Sequence, residues 1–186
     1  MRRVGLWLGC FVAVLGACGQ SSTTPDAAAP AGDATAGDGS LPDAASATVE
    51  IGTGADMFEP IAEGQEVEII LGPQGGGRNR GYHIWHALRA RGVEPGGAEA
   101  TFRTYLAADR SEVATQTRRV DLQSLGGALV FFGAAPQIED CCLVEGQDLI
   151  MRVELLDANG LALSDERRVR ASPACSDGVT GASICP

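Results

Sequence analysis

The sequence predicts an all-β fold, an antiparallel β-sandwich of about seven or eight strands that occupies residues 48–186 and follows a disordered linker. Three observations carry this. Apolar and polar residues alternate with period two in EVEIIL, where Val67, Ile69 and Leu71 share one face and Glu66 and Glu68 the other. They alternate again in LIMRVELL, where Leu149, Met151, Val153 and Leu155 oppose Arg152 and Glu154. Alternation of this kind lines the two faces of a half-buried strand. Such runs are short and separated by Gly, Pro and Asp, as in all-β domains. Between RVELLD and the run ending RRVRAS stands DANG, in which Asn159 and Gly160 favour positive φ and a tight hairpin.

The chain opens MRRVGLWLGCFVAVLGACGQ. Arg2 and Arg3 form a basic start, and Val4 to Val14 an apolar run far shorter than the ~20 residues a spanning helix needs. Residues 1–17 therefore read as a secretory signal peptide. Leu15, Gly16, Ala17 and Cys18 then spell LGAC, which resembles the lipobox of bacterial lipoproteins. That resemblance implies cleavage before Cys18, a diacylglyceryl group on its sulfur, and usually an acyl group on the new amino terminus. Gly19 stands where enterobacterial lipoproteins kept at the inner membrane carry aspartate, so the resemblance also implies the outer membrane. Each buried methylene contributes about 0.8 kcal/mol, so two or three acyl chains anchor durably where one does not. Downstream of the signal no apolar run reaches the length of a membrane span, and the lipid on Cys18 is the expected attachment.

Cys18 and the segment that follows it make up residues 18–47, almost wholly Ala, Gly, Ser, Thr, Pro and Asp. With one leucine and no aromatic it cannot bury enough apolar surface to offset the entropy of ordering, and is expected to be disordered. As a flexible coil it spans roughly 30 Å, the reach of a tether. Removing the signal takes away two of the fourteen basic residues and none of the 24 acidic ones, so the formal net charge goes from −10 to −12. An acidic chain without a basic patch is a poor nucleic-acid binder and is repelled by anionic headgroups.

Candidate strands follow in order at 48–52 (TVEIG), 66–71, 82–91 (YHIWHALRAR), 101–108 (TFRTYLAA), 113–122 (VATQTRRVDL), 128–133 (ALVFFG), 149–156 and 162–170. Helix is the competing reading over 82–91 and 102–122, whose Leu, Ala and Arg tolerate it. The rhythm of the strands looks like an immunoglobulin-like or fibronectin-like domain. The antibody signature of cysteines flanking a core tryptophan is absent, since no cysteine precedes Trp85 within the domain.

Cys10 leaves with the signal and Cys18 takes the lipid, which leaves Cys141, Cys142, Cys175 and Cys185. Outside the cytoplasm four cysteines suggest two disulfides. Joining the adjacent Cys141 and Cys142 would distort the peptide between them, so the two pairings that cross-link this pair to Cys175 and Cys185 are preferred. A hairpin of 149–156 with 162–170 would return Cys175 toward the loop that carries Cys141 and Cys142. Glu139 and Asp140 just before the pair disfavour a thiolate, so the cysteines read as staples rather than redox groups.

The stretch GPQGGGRNRGYHIWH, residues 72–86, gathers five glycines, two arginines and both histidines of the chain. A phosphate loop needs Lys and Ser or Thr after the glycines, and here Arg78, Asn79 and Arg80 follow. On a strand His83 and His86 lie an odd number of positions apart and face opposite ways, whereas on a helix they could share a metal. The strand reading turns His86, Ile84 and Leu88 inward and His83, Trp85, Arg89 and Arg91 outward. Arg78, Arg80, His83 and Trp85 are then the candidate ligand-binding residues, at a loop of the sandwich end. Neither a GxSxG elbow nor a calcium loop is present, so no catalytic residue and no cofactor is expected. The expected function is non-enzymatic: a lipid-anchored extracytoplasmic module for binding, adhesion or envelope assembly, with an envelope protein or polysaccharide as partner. The alternative is a copper or zinc carrier using His83 and His86, with Met57 as a further ligand.

Overall fold

Alternation of inward apolar and outward polar residues makes strands of most of residues 46–72, 81–173, 175–176 and 180–186, the part of the chain that the computed structural model describes. In chain order they are β1 (Thr48–Thr53), β2 (Glu59–Pro60), β3 (Gln65–Val67), β4 (Ile70–Leu71), β5 (Tyr82–His83), β6 (His86–Arg91) and β7 (Ala98–Leu106). There follow β8 (Glu112–Val120), β9 (Gln123–Leu125), β10 (Ala128–Ala134), β11 (Gln137–Ile138), the short helix α1 (Cys141–Val144), β12 (Asp148–Leu156) and β13 (Ala162–Ala171). The signal, Cys18 and the tether lie outside the described residues, as do Arg78 and Arg80.

The strands form three sheets, β2-β1-β6-β10-β9, β3-β13-β12-β7-β8 and the small β11-β5-β4. Every pairing is antiparallel except that of β3 with the end of β13, where Val67 lies opposite Ala171. The two five-stranded sheets share one apolar core. Leu149, Met151, Val153 and Leu155 of β12 point into it, as do Ala98, Ala100 and Phe102 of β7 and Ile51 and Leu88 of the facing sheet. Burying each of the larger ones contributes about 1.5–3 kcal/mol. The Phe102 ring joins the sheets, with ring centroids 5.9 Å from His86 and 6.0 Å from Phe131. A polar tie runs across them as well, the Ile51 amide donating to the Asp165 carboxylate at 2.9 Å.

Three expectations change at this level. EVEIIL is not one strand: Val67 pairs beside β13, Ile69 donates its amide to Ser172 Oγ, and the chain then turns to place Ile70 and Leu71 against β5. The run at 82–91 breaks at Ile84 and Trp85 into β5 and β6, which belong to different sheets. Tyr82, Ile84, His86, Leu88 and Ala90 stay buried on one parity across the break, while His83, on the face opposite Tyr82, is buried as well and does not face solvent as the continuous strand required. In the β12–β13 hairpin only Gly160 takes a positive φ, 82°, while Asn159 does not. Asp157 shapes that turn instead, one carboxylate oxygen accepting from the amides of Asn159 and Leu161 and the other from Glu94. In β10 a register shift between Phe131 and Ala134 contains Gly133, whose φ is 75° and whose missing Cβ would lie 2.8 Å from the Ala55 carbonyl oxygen. A side chain there would be strained twice over.

The cysteines pair Cys141 with Cys175 and Cys142 with Cys185, one of the two cross-linked arrangements left open by the sequence. Asp140 caps α1 by accepting from the Cys142 amide at 3.0 Å, and so fixes the turn from which the adjacent sulfurs leave toward different partners.

Candidate functional site

The small sheet builds the site. Its middle strand β5 sets Tyr82 opposite Leu71 and Ile138, and His83 opposite Ile70 and Gln137. Alternation sends the two side chains to opposite faces. Tyr82 is fully buried on the core side, and its hydroxyl donates to the Ser176 carbonyl, which ties the small sheet to the segment just after Cys175. His83 goes to the other face and forms the wall of a cavity of about 210 Å³ with Gly72, Gly81, Trp85, Ala135 and Gln137. The chain narrows at the mouth of β4 and β5, where the Gly72 amide donates to the Gly81 carbonyl. The His83 and Trp85 rings meet edge to face with centroids 4.4 Å apart.

His83 is 7% exposed. Burial pushes its pKa down, and a hydrogen bond with the Gly81 carbonyl offsets only part of that. The ring is therefore neutral at neutral pH, with a proton on the nitrogen bonded to Gly81. Nε2, buried and without a hydrogen-bond partner among the described residues, keeps a bare lone pair. Buried polar atoms left without partners are rare, and leaving one costs on the order of 1–3 kcal/mol.

His86 lies elsewhere. It is fully buried in the core, with Nδ1 against the Ile84 carbonyl at 2.9 Å and Nε2 against Thr104 Oγ1 at 3.2 Å. Burial drives its pKa down to about 4, against the raising effect of nearby backbone groups. Both of its nitrogens are engaged, so a metal shared with His83 would require breaking core hydrogen bonds. Met57 is 59% exposed on the connection between β1 and β2. Glu145, Cys175 and Cys185 gather within 4.8 Å, but both sulfurs are spent in disulfides. Thus the structure brings His83 and Trp85 together and leaves His86 apart.

Sequence reasoning missed Gln137 and Ala135 as cavity residues, since β11 and the turn before it reach the site only through the pairing of β11 with β5. It also missed a chain of ion pairs on the outer face of the β3-β13-β12-β7-β8 sheet. Glu166 takes Arg110 at 3.0 Å and Arg152 at 3.5 Å, Arg152 takes Glu154 at 3.0 Å, and Arg103 bridges Glu154 and Glu112 at 3.5 and 2.8 Å. Arg152 stands directly across from both Arg103 and Glu166 in register, so the carboxylates offset a repulsion between the two arginines. The Arg110 hydrogen bond holds the Glu166 carboxyl below the usual range. In this chain of ion pairs three arginines stand against three carboxylates. No protein-family model matches the chain, and no curated protein is significantly similar to it.

Proposed function

We propose that this protein is a lipid-anchored recognition module of the bacterial envelope, in which an immunoglobulin-like sandwich is tethered through Cys18 at the outer membrane and binds a partner without catalysing a reaction. Its strand order supports the immunoglobulin-like reading. The sheet β1-β6-β10-β9 corresponds in order to strands A, B, E and D of such domains, and β13-β12-β7-β8 to G, F, C and C′. The parallel pairing of β3 with β13 fits a first strand that divides between the two sheets. Paired disulfides suit an oxidising compartment, in keeping with export.

The observation that carries the reading is the cavity at His83 and Trp85. An aromatic wall with a few convergent polar groups is what a binding site requires, and connections at the end of a sandwich are where such domains bind. Affinity capture from envelope extracts with the full chain tests it. Trp85→Ala is expected to lose the captured partner, and replacement of Arg78 and Arg80 by alanine to weaken it. Recovery of the same partners by wild type and both variants would remove the site from the reading, and an unmodified Cys18 by mass spectrometry would remove the anchor.

A further inference from the structure

We propose that the outer face of the β2-β1-β6-β10-β9 sheet docks on the surface of the bilayer that holds Cys18, against zwitterionic lipid. The inference rests on the anchored reading above and adds the way the domain lies on its membrane. Phe131 of β10 packs on the core, so alternation turns Val130 and Phe132 to the outside. Register sets Arg89 of β6 beside Val130, and Leu125 of β9 beside Ala128, on that same face. Ala87, Ala128 and Val130 are 0, 5 and 2% exposed without belonging to the core cluster, so the outer face holds an apolar layer of its own. The connection after β1 adds to it. The Phe58 ring lies on Gly52, where a Cβ would come within 2.4 Å of it, and the Arg89 guanidinium covers the ring at 4.7 Å.

Two large apolar side chains stand out at opposite edges of this sheet. Leu125, on β9, is 62% exposed, and Met57, in the connection from β1 to the other edge strand β2, is 59% exposed. Four strand spacings, roughly 19 Å, separate the two edges. A flat surface meets both at once. The headgroup layer is such a surface, and it lets Arg89 and Arg91 keep their charges in water while their stems lie on apolar atoms. The outer face of the other sheet is occupied instead by the ion pairs of Arg103, Arg110 and Arg152. Thr48, the first residue of β1, belongs to the apolar sheet and lies only 29 intervening residues from Cys18. As a flexible coil that tether keeps the bilayer within roughly 30 Å of the face and raises its effective concentration. A patch too small to hold a free protein then suffices. A second copy would bring a formal charge of −12, from 12 basic and 24 acidic residues once the signal is gone, and be repelled, whereas zwitterionic lipid carries no net charge.

Met57 supplies the readout, and Met151, fully buried in the core, reports that the domain is folded. The full lipidated chain is placed in vesicles of phosphatidylcholine and phosphatidylethanolamine, hydrogen peroxide is added, and sulfoxide at each methionine is followed by mass spectrometry. The comparison is with Leu125→Glu, which sets a charge at the far edge of the face and alters neither Met57 nor Cys18. Wild-type Met57 is expected to oxidise about threefold more slowly than Met57 of the variant, the slowing given by a face docked for about two-thirds of the time. Both chains should sediment with the vesicles. Equal rates in the two sedimented chains overturn the dock and leave the anchor standing. A difference that appears only as the protein is crowded on the vesicles assigns the face to a second copy. One that appears only in native outer membranes assigns it to a protein partner, and either result overturns the proposal. A wild-type chain that does not sediment with the vesicles removes anchor and dock together.

Discussion

Acidification should weaken this fold chiefly through His86. The ring has no exposure, its two nitrogens are hydrogen-bonded to Ile84 and Thr104, and burial pushes its pKa from 6.5 down to about 4. In the unfolded chain the same imidazole titrates near its ordinary value. Between those two values the unfolded chain binds a proton that the native one refuses, so stability falls as pH drops through this window and levels off below about 4. From about pH 7 to about pH 4.5 the linkage amounts to about 2 kcal/mol. With a urea dependence of ~2 kcal/mol per molar, the unfolding midpoint moves down by roughly 1 M. His83, lowered by burial too, acts in the same direction. Urea titrations followed by tryptophan fluorescence at the two pH values measure the shift. His86→Gln, destabilised at every pH, should show a clearly smaller one. A midpoint that does not move on acidification, or moves equally in His86→Gln, would refute the assignment of the effect to this residue.

Replacing Cys142 and Cys185 by serine opens a link between residues 43 apart and should cost about 4 kcal/mol by loss of the constraint on the unfolded chain, read as a lower urea midpoint. Removing both disulfides should cost less than the sum of the single losses, because the two closed loops overlap. Phe102→Ala, at the contact between the sheets, is expected to cost about 3–5 kcal/mol by the same assay. Asp157→Asn should loosen the β12–β13 turn, with faster hydrogen exchange at the Asn159, Leu161 and Glu94 amides. The amides of Glu94 and Leu161 hold the Asp157 carboxyl below its ordinary 3.8. Its contribution is thus present above that value and is lost as pH falls through the lower folded one.

Where local pattern and tertiary partner agreed, the strands were legible. LIMRVELL alternates in the sequence and is buried in the same alternation, because a nine-residue strand between two full-length neighbours has no freedom to slip. EVEIIL alternates as cleanly, yet divides between two sheets, since alternation states which side chains are buried and not against which strand. His83 shows the same limit from the functional side. A period-two count turned it to the face opposite Tyr82, but could not show that this face too is covered, with the His83 ring buried beside Trp85.

From the residues alone came the β class, the strands of the last hairpin, and the exclusion of a disulfide between neighbouring cysteines, all consequences of short-range sterics and of side-chain period. Tertiary structure decided the rest: which sulfur meets which, that Gln137 comes to lie beside His83, and that the two histidines part company, one sealed among hydrogen bonds and one left with a stranded lone pair. Each of these depends on contacts between positions far apart in the chain, and a linear pattern carries no record of which distant strand supplies a neighbour.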